Sequence, residues 1–480
     1  MASAASMPAV NADLVTFWSF LEDGLNNIMA NPDIEYSKYM SLYIVIYNYC
    51  TSVDRAGAIA DRTGANLMGA DLYNNLVRYF VTHLKPLCEK SDSFQDEDLL
   101  QYYAYEWEKY SAGANFINRI SAYLNRHWIK RERDKGRKGV YPVYTLALVQ
   151  WKDNLFVPVQ QKHRKLGSAI LRLIELHRNG EIIDQGLVKK VVDSMVLLGL
   201  DQANPEKACL DVYKEHFEVP FIDATEQYYK NESESFLAEN SLSNYLIKVE
   251  KRLREEEDRV QQYLDPGTRK PLITNCEHVL IQEHSKLMWD NFQALLDNDK
   301  DEDLQRMYAL LSRIPEGLEP LHKIFEEHVK KAGLAAVAKL IGRENAAEEG
   351  DADAVDPEAC VDALLDVHKK NSDTVRQCFG GEDGFIASLD AGCREFVNHN
   401  ATTGAPTSKL AKLLVKHADL LLQKISKVEE DALQAALSRV MLLFKYIEDK
   451  DVQQFYMTQL SKRLIHGASA PDDSEVIAQV

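Results

Sequence analysis

Apolar residues recur at intervals of three and four along most of the chain, and strict alternation of apolar and polar residues is rare. This period is typical of amphipathic α-helices. The first helix shows it at Leu14, Phe17, Leu21 and Leu25. Asp13 precedes these residues, where a side chain that caps the helix N-terminus is expected. The pattern therefore predicts an all-α protein.

The segment 36–50 carries more large apolar side chains than one buried helix face needs. At about 100° per residue, one broad face is formed by Tyr39, Met40, Tyr43, Ile46, Tyr47 and Cys50. A separate face is formed by Leu42, Val45 and Tyr49. Two apolar faces indicate either a helix buried on both sides in a large core, or one face on its own domain and the other on a partner. Tyrosine favours the partner, because its ring buries area while its hydroxyl seeks a polar neighbour.

A second segment, 98–110, repeats this signature. Its apolar stripe, at helical spacing, consists of Leu100, Tyr103, Ala104 and Trp107. Tyr102 and Tyr105 flank the stripe. We expect this helix to lie beside the first one.

Further helical segments, including one predicted over 116–128, fall into three successive sets, which indicates a helical repeat architecture without detectable sequence identity between the sets. Residues 242–264 carry a heptad-like pattern, but it is too short for a coiled-coil dimer and predicts a helix packed in its own domain. Residues 343–357 are acidic with little to bury, which predicts a disordered loop. Residues 401–408 are rich in Thr, Ala, Gly and Pro and are predicted to form a linker.

With 480 residues, the chain is too long for one ordinary core, so several structural units are expected. Its 74 acidic and 56 basic residues give a net charge of −18. This balance argues against nonspecific binding of nucleic acid or anionic membranes. A basic run over 126–138 is interpreted as a solvated helix end and turn rather than an anion site, because the chain as a whole is acidic.

The cysteines and the N-terminus indicate a soluble, intracellular protein. Seven scattered cysteines form an odd set without a Cys-x-x-Cys pair, as expected in a reducing compartment. Residues 1–11 lack the positive start and apolar run of a signal peptide. Apolar runs are far shorter than the ~20 residues of a membrane helix.

The sequence contains no motif of a common catalytic or cofactor site. There is no Gly-x-Gly-x-x-Gly, no phosphate-binding loop and no Gly-x-Ser-x-Gly turn. The nearest approach to a metal cluster is Cys276, His278, Glu283 and His284. Their spacing fits no usual zinc motif, so they are interpreted as ordinary helix residues. We therefore predict no catalytic residues, no cofactor and no metal.

Several long motifs resemble the cullin family. The first covers 39–53, Tyr-Met-Ser-Leu-Tyr-Ile-Val-Ile-Tyr-Asn-Tyr-Cys-Thr-Ser-Val, and looks like the second helix of the cullins that bind an SKP-type adaptor. Further cullin-like motifs lie at residues 122–128, 137–139, 245–253, 276–281, 444–451 and 461–464. The resemblance covers nearly the whole chain, apart from the first dozen and the last handful of residues.

This resemblance implies an elongated α-solenoid of three five-helix cullin repeats, followed by the first helices of a truncated C-terminal bundle. The implied segments are a flexible tail at 1–12, an adaptor-binding repeat at 13–145, a second repeat at 146–282, a third at 283–400 with the loop 343–357, the linker 401–408, and an incomplete C-terminal domain at 409–480.

The implied function is that of a non-catalytic scaffold of an SKP–cullin–F-box ubiquitin ligase, in the cytoplasm and nucleus. The implied partners are an SKP-type adaptor with its F-box substrate receptor and a cullin-associated exchange factor, with neither nucleic acid nor membrane. The implied adaptor-binding residues are Tyr39, Met40, Tyr43, Ile46, Tyr47, Leu100, Tyr103, Ala104 and Trp107. The regions that dock a RING-box subunit and accept a ubiquitin-like modifier are expected to be missing here, so that subunit would bind only a full-length form.

Two alternatives stay open. A rod-like helical tethering protein would share the acidity, the helices and the lack of catalytic motifs, but it would not explain the aromatic faces. A cullin could instead use a BTB-type or an elongin-type adaptor. Binding to the three kinds of adaptor separates these interpretations.

Overall fold

The computed structural model describes residues 7–9, 12–31, 35–51, 64–162, 165–200, 209–344, 357–398, 417 and 441–447. The regular structure of these residues is helical, and they form no β-strand. The all-α prediction is therefore confirmed. Within the same residues, every helix is too short or too polar to cross a lipid bilayer.

The chain divides into two compact units, which are described separately. Unit 1 comprises Met1–Tyr228 and Leu253–Asn275, and unit 2 comprises Tyr229–Arg252 and Cys276–Val480. The division into three repeats, made from the sequence, stays a prediction.

The first half of the chain contains α1 (Leu14–Ala30), α2 (Tyr36–Thr51), α3 (Gly64–Ser91), α4 (Asp96–Ile120), α5 (Ala122–Leu124), α6 (Lys130–Asp134), α7 (Val143–Trp151), α8 (Val157–Gln161), α9 (Lys165–Arg178), α10 (Gln185–Leu197) and α11 (Asp211–Tyr213). The second half contains α12 (Val219–Glu239), α13 (Leu242–Tyr263), α14 (Arg269–Glu277), α15 (Ser285–Asp297), α16 (Asp301–Leu311), α17 (Glu319–Glu344), α18 (Pro357–Cys378) and α19 (Asp383–Asn398). Wider π-helical turns lie at Asn125–Ile129, Lys152–Phe156, Lys214–Glu218 and His278–Gln282.

The start of α1 shows how local chemistry sets a helix boundary. The carboxylate of Asp13 accepts a hydrogen bond from the backbone N–H of Thr16 at 3.1 Å, which satisfies a donor that has no partner inside the helix. The apolar stripe that follows is buried at Phe17, Leu21 and Leu25. The predicted cap and stripe are both confirmed.

In unit 1, α4 lies at the centre of the core and meets Trp151 at the end of α7. The rings of Tyr103, Trp107 and Tyr110 lie 5.6, 5.3 and 4.8 Å from the Trp151 ring. The indole N–H of Trp151 donates to the Tyr103 hydroxyl at 3.1 Å. The Tyr110 hydroxyl donates to the carbonyl of Ala147 at 2.8 Å. The polar atoms of Tyr103, Tyr110 and Trp151 are thus hydrogen-bonded within the core.

A buried ionic network also lies in unit 1, between α9, α12 and α13. The Glu256 carboxylate accepts hydrogen bonds from Arg178 at 2.9 Å and from Arg259 at 2.8 Å. The side chains of Glu256, Arg178 and Arg259 are only 0%, 3% and 3% exposed. Arg178 also donates to the hydroxyl of Thr225 at 2.8 Å. Glu256 thus joins α13 to α9, and Arg178 joins α9 to α12.

Unit 2 is built around aromatic side chains from α15 to α19. The rings of Phe379 and Phe385 stack at 4.0 Å, and Phe325 of α17 meets both rings edge-on. Close packing of α17 on α19 depends on Gly333, because an added Cβ there would collide with the Phe396 ring. A small residue is therefore required where these two helices cross.

One predicted helix needs correction, and several other predicted segments lie outside the described residues. The sequence predicts a single helix over 116–128. In the structure α4 ends at Ile120, and the helix is interrupted at Ser121, which is fully buried. The α5 helix and a π-helical turn follow this break. The linker at 401–408, residues 345–356 of the predicted loop and most of the helices expected after 409 lie outside the described residues.

Candidate partner-binding surface

The inward face of α2 holds this helix on unit 1. Leu42, Val45, Ile46 and Tyr49 are buried. The Tyr49 ring stacks on Phe17 of α1 at 4.1 Å. These contacts hold α2 in place through one face and leave the opposite face uncovered by the described residues of unit 1.

The outward face of α2 is rich in tyrosine and faces solvent. Tyr36 is 75% exposed and Tyr47 is 43% exposed, and Tyr39, Met40 and Tyr43 are partly exposed. Large aromatic side chains seldom remain exposed side by side unless a partner covers them. The second of the two sequence interpretations therefore matches this helix better than burial on both sides.

The same face continues onto α5 and the π-helical turn after it. The Tyr47 ring meets Tyr123 edge-on at 4.9 Å, and Tyr123 lies 4.2 Å from the His127 ring. Desolvation, with Tyr47 and two further neighbours from α2, raises the pKa of Tyr123, so its hydroxyl is a neutral hydrogen-bond donor at physiological pH. The exposed set is called here the aromatic surface and consists of Tyr36, Tyr39, Met40, Tyr43, Tyr47, Tyr123 and His127.

Tyr123 and His127 were not predicted as site residues. Both lie in the cullin-like motif 122–128, and their spacing of four was the signal that could have found them. The apolar spacing over 116–128 predicts one continuous helix, so it does not indicate the interruption at Ser121.

Two asparagines hold the segment that carries Tyr123. The Asn125 amide donates to the Asn118 side-chain oxygen at 2.8 Å. The backbone N–H groups of Val143 and Tyr144 donate to the side-chain oxygens of Asn125 and Asn118 at 3.0 and 3.2 Å. The pair thus caps the N-terminus of α7 and joins the α4–α5 corner to it.

Five of the nine predicted adaptor-binding residues are buried inside the chain, which argues against direct contact between these five side chains and an adaptor. Ile46, Leu100, Tyr103, Ala104 and Trp107 have exposed fractions of 1%, 0%, 2%, 4% and 5%. A partner could not contact these side chains without opening the core. Tyr39, Met40, Tyr43 and Tyr47 remain as candidate contacts, and their role stays a prediction.

The reason for this burial differs between the two helices. On α2, Ile46 follows Leu42 by four residues and so lies about 40° from it around the axis, on the inward side. On α4, the stripe was identified correctly as apolar, but Trp151 and its neighbours cover it from within unit 1.

The described residues bring together no group of three His, Cys, Asp or Glu that could hold a metal ion. Of the residues considered from the sequence, Cys276 is buried, and His284 contacts the Ser233 hydroxyl at 3.1 Å and the Tyr245 ring edge-on. Near the aromatic surface, burial raises the pKa of Cys50 to about 12, which keeps it a neutral thiol.

Fold and surface together define an α-helical protein that exposes a tyrosine-rich face beside a well-packed core. Residues 18–477 match the cullin alpha solenoid domain. The chain therefore belongs to the cullin family, and the α-solenoid prediction is confirmed.

The curated relatives include several named Cullin-1. The chain is 43% identical to Cullin-1 of Dictyostelium discoideum over 95% of its length and 60% of the relative. It is 38% identical to Cullin-1 of Caenorhabditis elegans over 97% of its length and 62% of the relative, and 39% identical to Cullin-1 of Schizosaccharomyces pombe over 95% and 60%. The cullin-1-like assignment is confirmed. The chain spans about three fifths of the length of these relatives.

Proposed function

We propose that this chain is a scaffold subunit of an SKP–cullin–F-box ubiquitin ligase and that its aromatic surface binds the SKP-type adaptor. The observation that carries the proposal is the exposed row of tyrosines on α2, continued by Tyr123. Membership of the cullin family and similarity to Cullin-1 proteins support it. The chain contributes binding and spacing, and other subunits contribute the chemistry of ubiquitin transfer.

The aromatic surface has the properties of an interface centre. A specific interface buries on the order of 800 Å² per partner, and its binding energy concentrates in a few aromatic anchors. Tyr43 is partly exposed between Tyr39 and Tyr47 on the same face. Truncating such an anchor costs roughly 2 kcal/mol, a weakening of more than tenfold in Kd.

Calorimetry with a purified SKP-type adaptor tests this proposal. Tyr43→Ala should weaken binding more than tenfold without changing the helical circular dichroism or the thermal midpoint. Tyr105→Ala is the matched control, because Tyr105 is 63% exposed on α4 and lies outside the aromatic surface. Unchanged affinity of Tyr43→Ala, or an equal loss of affinity in Tyr105→Ala, would contradict the assignment of the aromatic surface as the adaptor-binding site.

The same titration with BTB-type and elongin-type adaptors tests the subfamily. We propose that only the SKP-type adaptor binds at submicromolar concentration. Binding of another adaptor instead would keep the scaffold function and change the partner, whereas binding of none would leave the tethering interpretation. An F-box receptor, a RING-box subunit and an exchange factor are further proposed partners of the complete assembly, in the cytoplasm and nucleus.

A further inference from the structure

A strongly basic segment follows the aromatic surface directly in the chain. Residues 126–138 contain seven Arg and Lys side chains and two carboxylates, a net charge of +5 in a chain of net charge −18. This set is called here the basic rim and consists of Arg126, Lys130, Arg131, Arg133, Lys135, Arg137 and Lys138. Its sign is opposite to that of the protein as a whole.

Part of the basic rim is built around one buried carboxylate. Glu132 is 6% exposed and pairs with Arg137 at 2.8 Å, with Lys135 at 3.3 Å and with Arg131 at 4.0 Å. Burial opposes ionisation of Glu132, but its three cationic neighbours outweigh that effect and lower the pKa of its carboxyl. One negative charge thus holds three positive ones in place, so the cluster keeps its positive excess.

The turn after α6 is held by Tyr73 of α3. The backbone N–H of Tyr141 donates to the Tyr73 hydroxyl at 2.9 Å, and that hydroxyl lies 3.5 Å from the carbonyl oxygen of Gly139. The Tyr73 ring also packs at 5.3 Å from Trp128. The cations of the turn are therefore presented from an anchored backbone.

Two exposed cations connect the basic rim to the aromatic surface. Arg126 and Lys130 are exposed and flank His127 in the π-helical turn and at the start of α6. His127 itself belongs to the aromatic surface through its contact with Tyr123. The apolar centre and the charged edge therefore belong to one continuous surface, an arrangement typical of protein interfaces.

We infer that the basic rim is the electrostatic edge of the adaptor-binding interface, and that the adaptor surface docking there carries a cluster of carboxylates beside its apolar contact. This inference rests on the proposed function. A protein partner is favoured over nucleic acid, because the charge of −18 on the whole chain repels a polyanion, whereas a local carboxylate cluster feels mainly the nearby rim. The rim accelerates association by attracting the partner before contact.

Stopped-flow or interferometric binding of the SKP-type adaptor at 30, 100 and 300 mM salt tests the inference. Arg126→Glu with Lys130→Glu should lower the association rate constant about tenfold at 30 mM salt and much less at 300 mM, with a smaller change in dissociation. Arg126→Gln with Lys130→Gln should give an intermediate loss. Lys214→Glu with Lys270→Glu is the matched control, because these exposed lysines of unit 1 give the same change in net charge outside the rim.

Each outcome has a distinct meaning. Normal association by the charge-reversed variant, or an equal loss in the Lys214/Lys270 control, overturns the inference while adaptor binding itself stands. Absence of binding by the unmodified chain overturns the proposed function and the inference with it. Capture of a labelled 20-base-pair DNA or RNA duplex at 150 mM salt, lost on charge reversal while adaptor association is unchanged, would assign the rim to nucleic acid and overturn the inference.

Discussion

The buried network around Glu256 gives the sharpest prediction about the stability of unit 1. Glu256→Gln keeps the size of the side chain and an acceptor oxygen but removes the charge that faces Arg178 and Arg259. All three side chains are at most 3% exposed, so water cannot solvate the two guanidinium groups once the negative charge is removed. Breaking a buried ion pair from one side costs about 3–5 kcal/mol, because the remaining charges stay buried.

Urea unfolding followed by tryptophan fluorescence measures this cost. Four of the five tryptophans belong to unit 1, so a Trp289→Phe background confines the signal to that unit. With an unfolding slope of about 3 kcal/mol per M, Glu256→Gln should lower the midpoint by about 1–2 M. Asp193→Asn is the control, because its pair with Lys189 is about half exposed and is worth less than about 0.5 kcal/mol.

A triple replacement separates the cost of unpaired charges from the value of the network. Arg178→Met, Glu256→Leu and Arg259→Leu together should retain more stability than Glu256→Gln alone, because no charge remains buried. If Glu256→Gln shifts the midpoint no more than Asp193→Asn does, the network is hydrated in solution and our reasoning about its burial is wrong.

Contacts elsewhere in the protein determine the expected outcome of three more experiments. Gly24→Val should lower the thermal midpoint and weaken adaptor binding measured by calorimetry, because a side chain at residue 24 would displace Leu42 and tilt α2. Asn125→Ala should cost about 1–2 kcal/mol in the urea assay, since it removes the acceptor of the Val143 N–H, and Asn125→Asp should restore part of it. Burial lowers the pKa of His284 and of four other histidines, so the unfolded chain binds protons first. Their stabilising contribution is present above about pH 6.5 and is lost as the pH falls. Urea midpoints measured by circular dichroism, which reports on both units, should fall from pH 7.5 to 5.5, and less steeply in His284→Gln.

Helix content was predictable because it depends on local periodicity. The Asp13 cap and the stripe of α1 follow from residues within one or two turns, and both were predicted. The break at Ser121 was not predicted, since no Gly or Pro marks it and Ser121 is held fully buried by tertiary packing. Such a break depends on residues distant in the chain.

The assignment of faces was harder, because an apolar stripe shows that something must cover it without showing what does. The stripe containing Tyr103 and Trp107 is covered by Trp151, which lies more than forty residues further along the chain. The row containing Tyr43 and Tyr47 is also rich in aromatic side chains, yet it faces solvent. Only the three-dimensional arrangement distinguishes a buried contact between helices from a surface that faces solvent.

The two faces of α2 have different expected roles, the inward face in stability and the outward face in binding. The inward face is tied to α1 by the Phe17–Tyr49 stack, so substitutions there must change stability and, through the position of the helix, binding as well. The outward face gains little from folding because Tyr43 and Tyr47 stay partly exposed, so substitutions there should change affinity at constant stability. Measuring both quantities for each variant therefore tests the assignment more strictly than binding alone. A Tyr43 variant that lost stability along with affinity would show that this face also supports the core, and α2 would then belong to the helices buried on both sides.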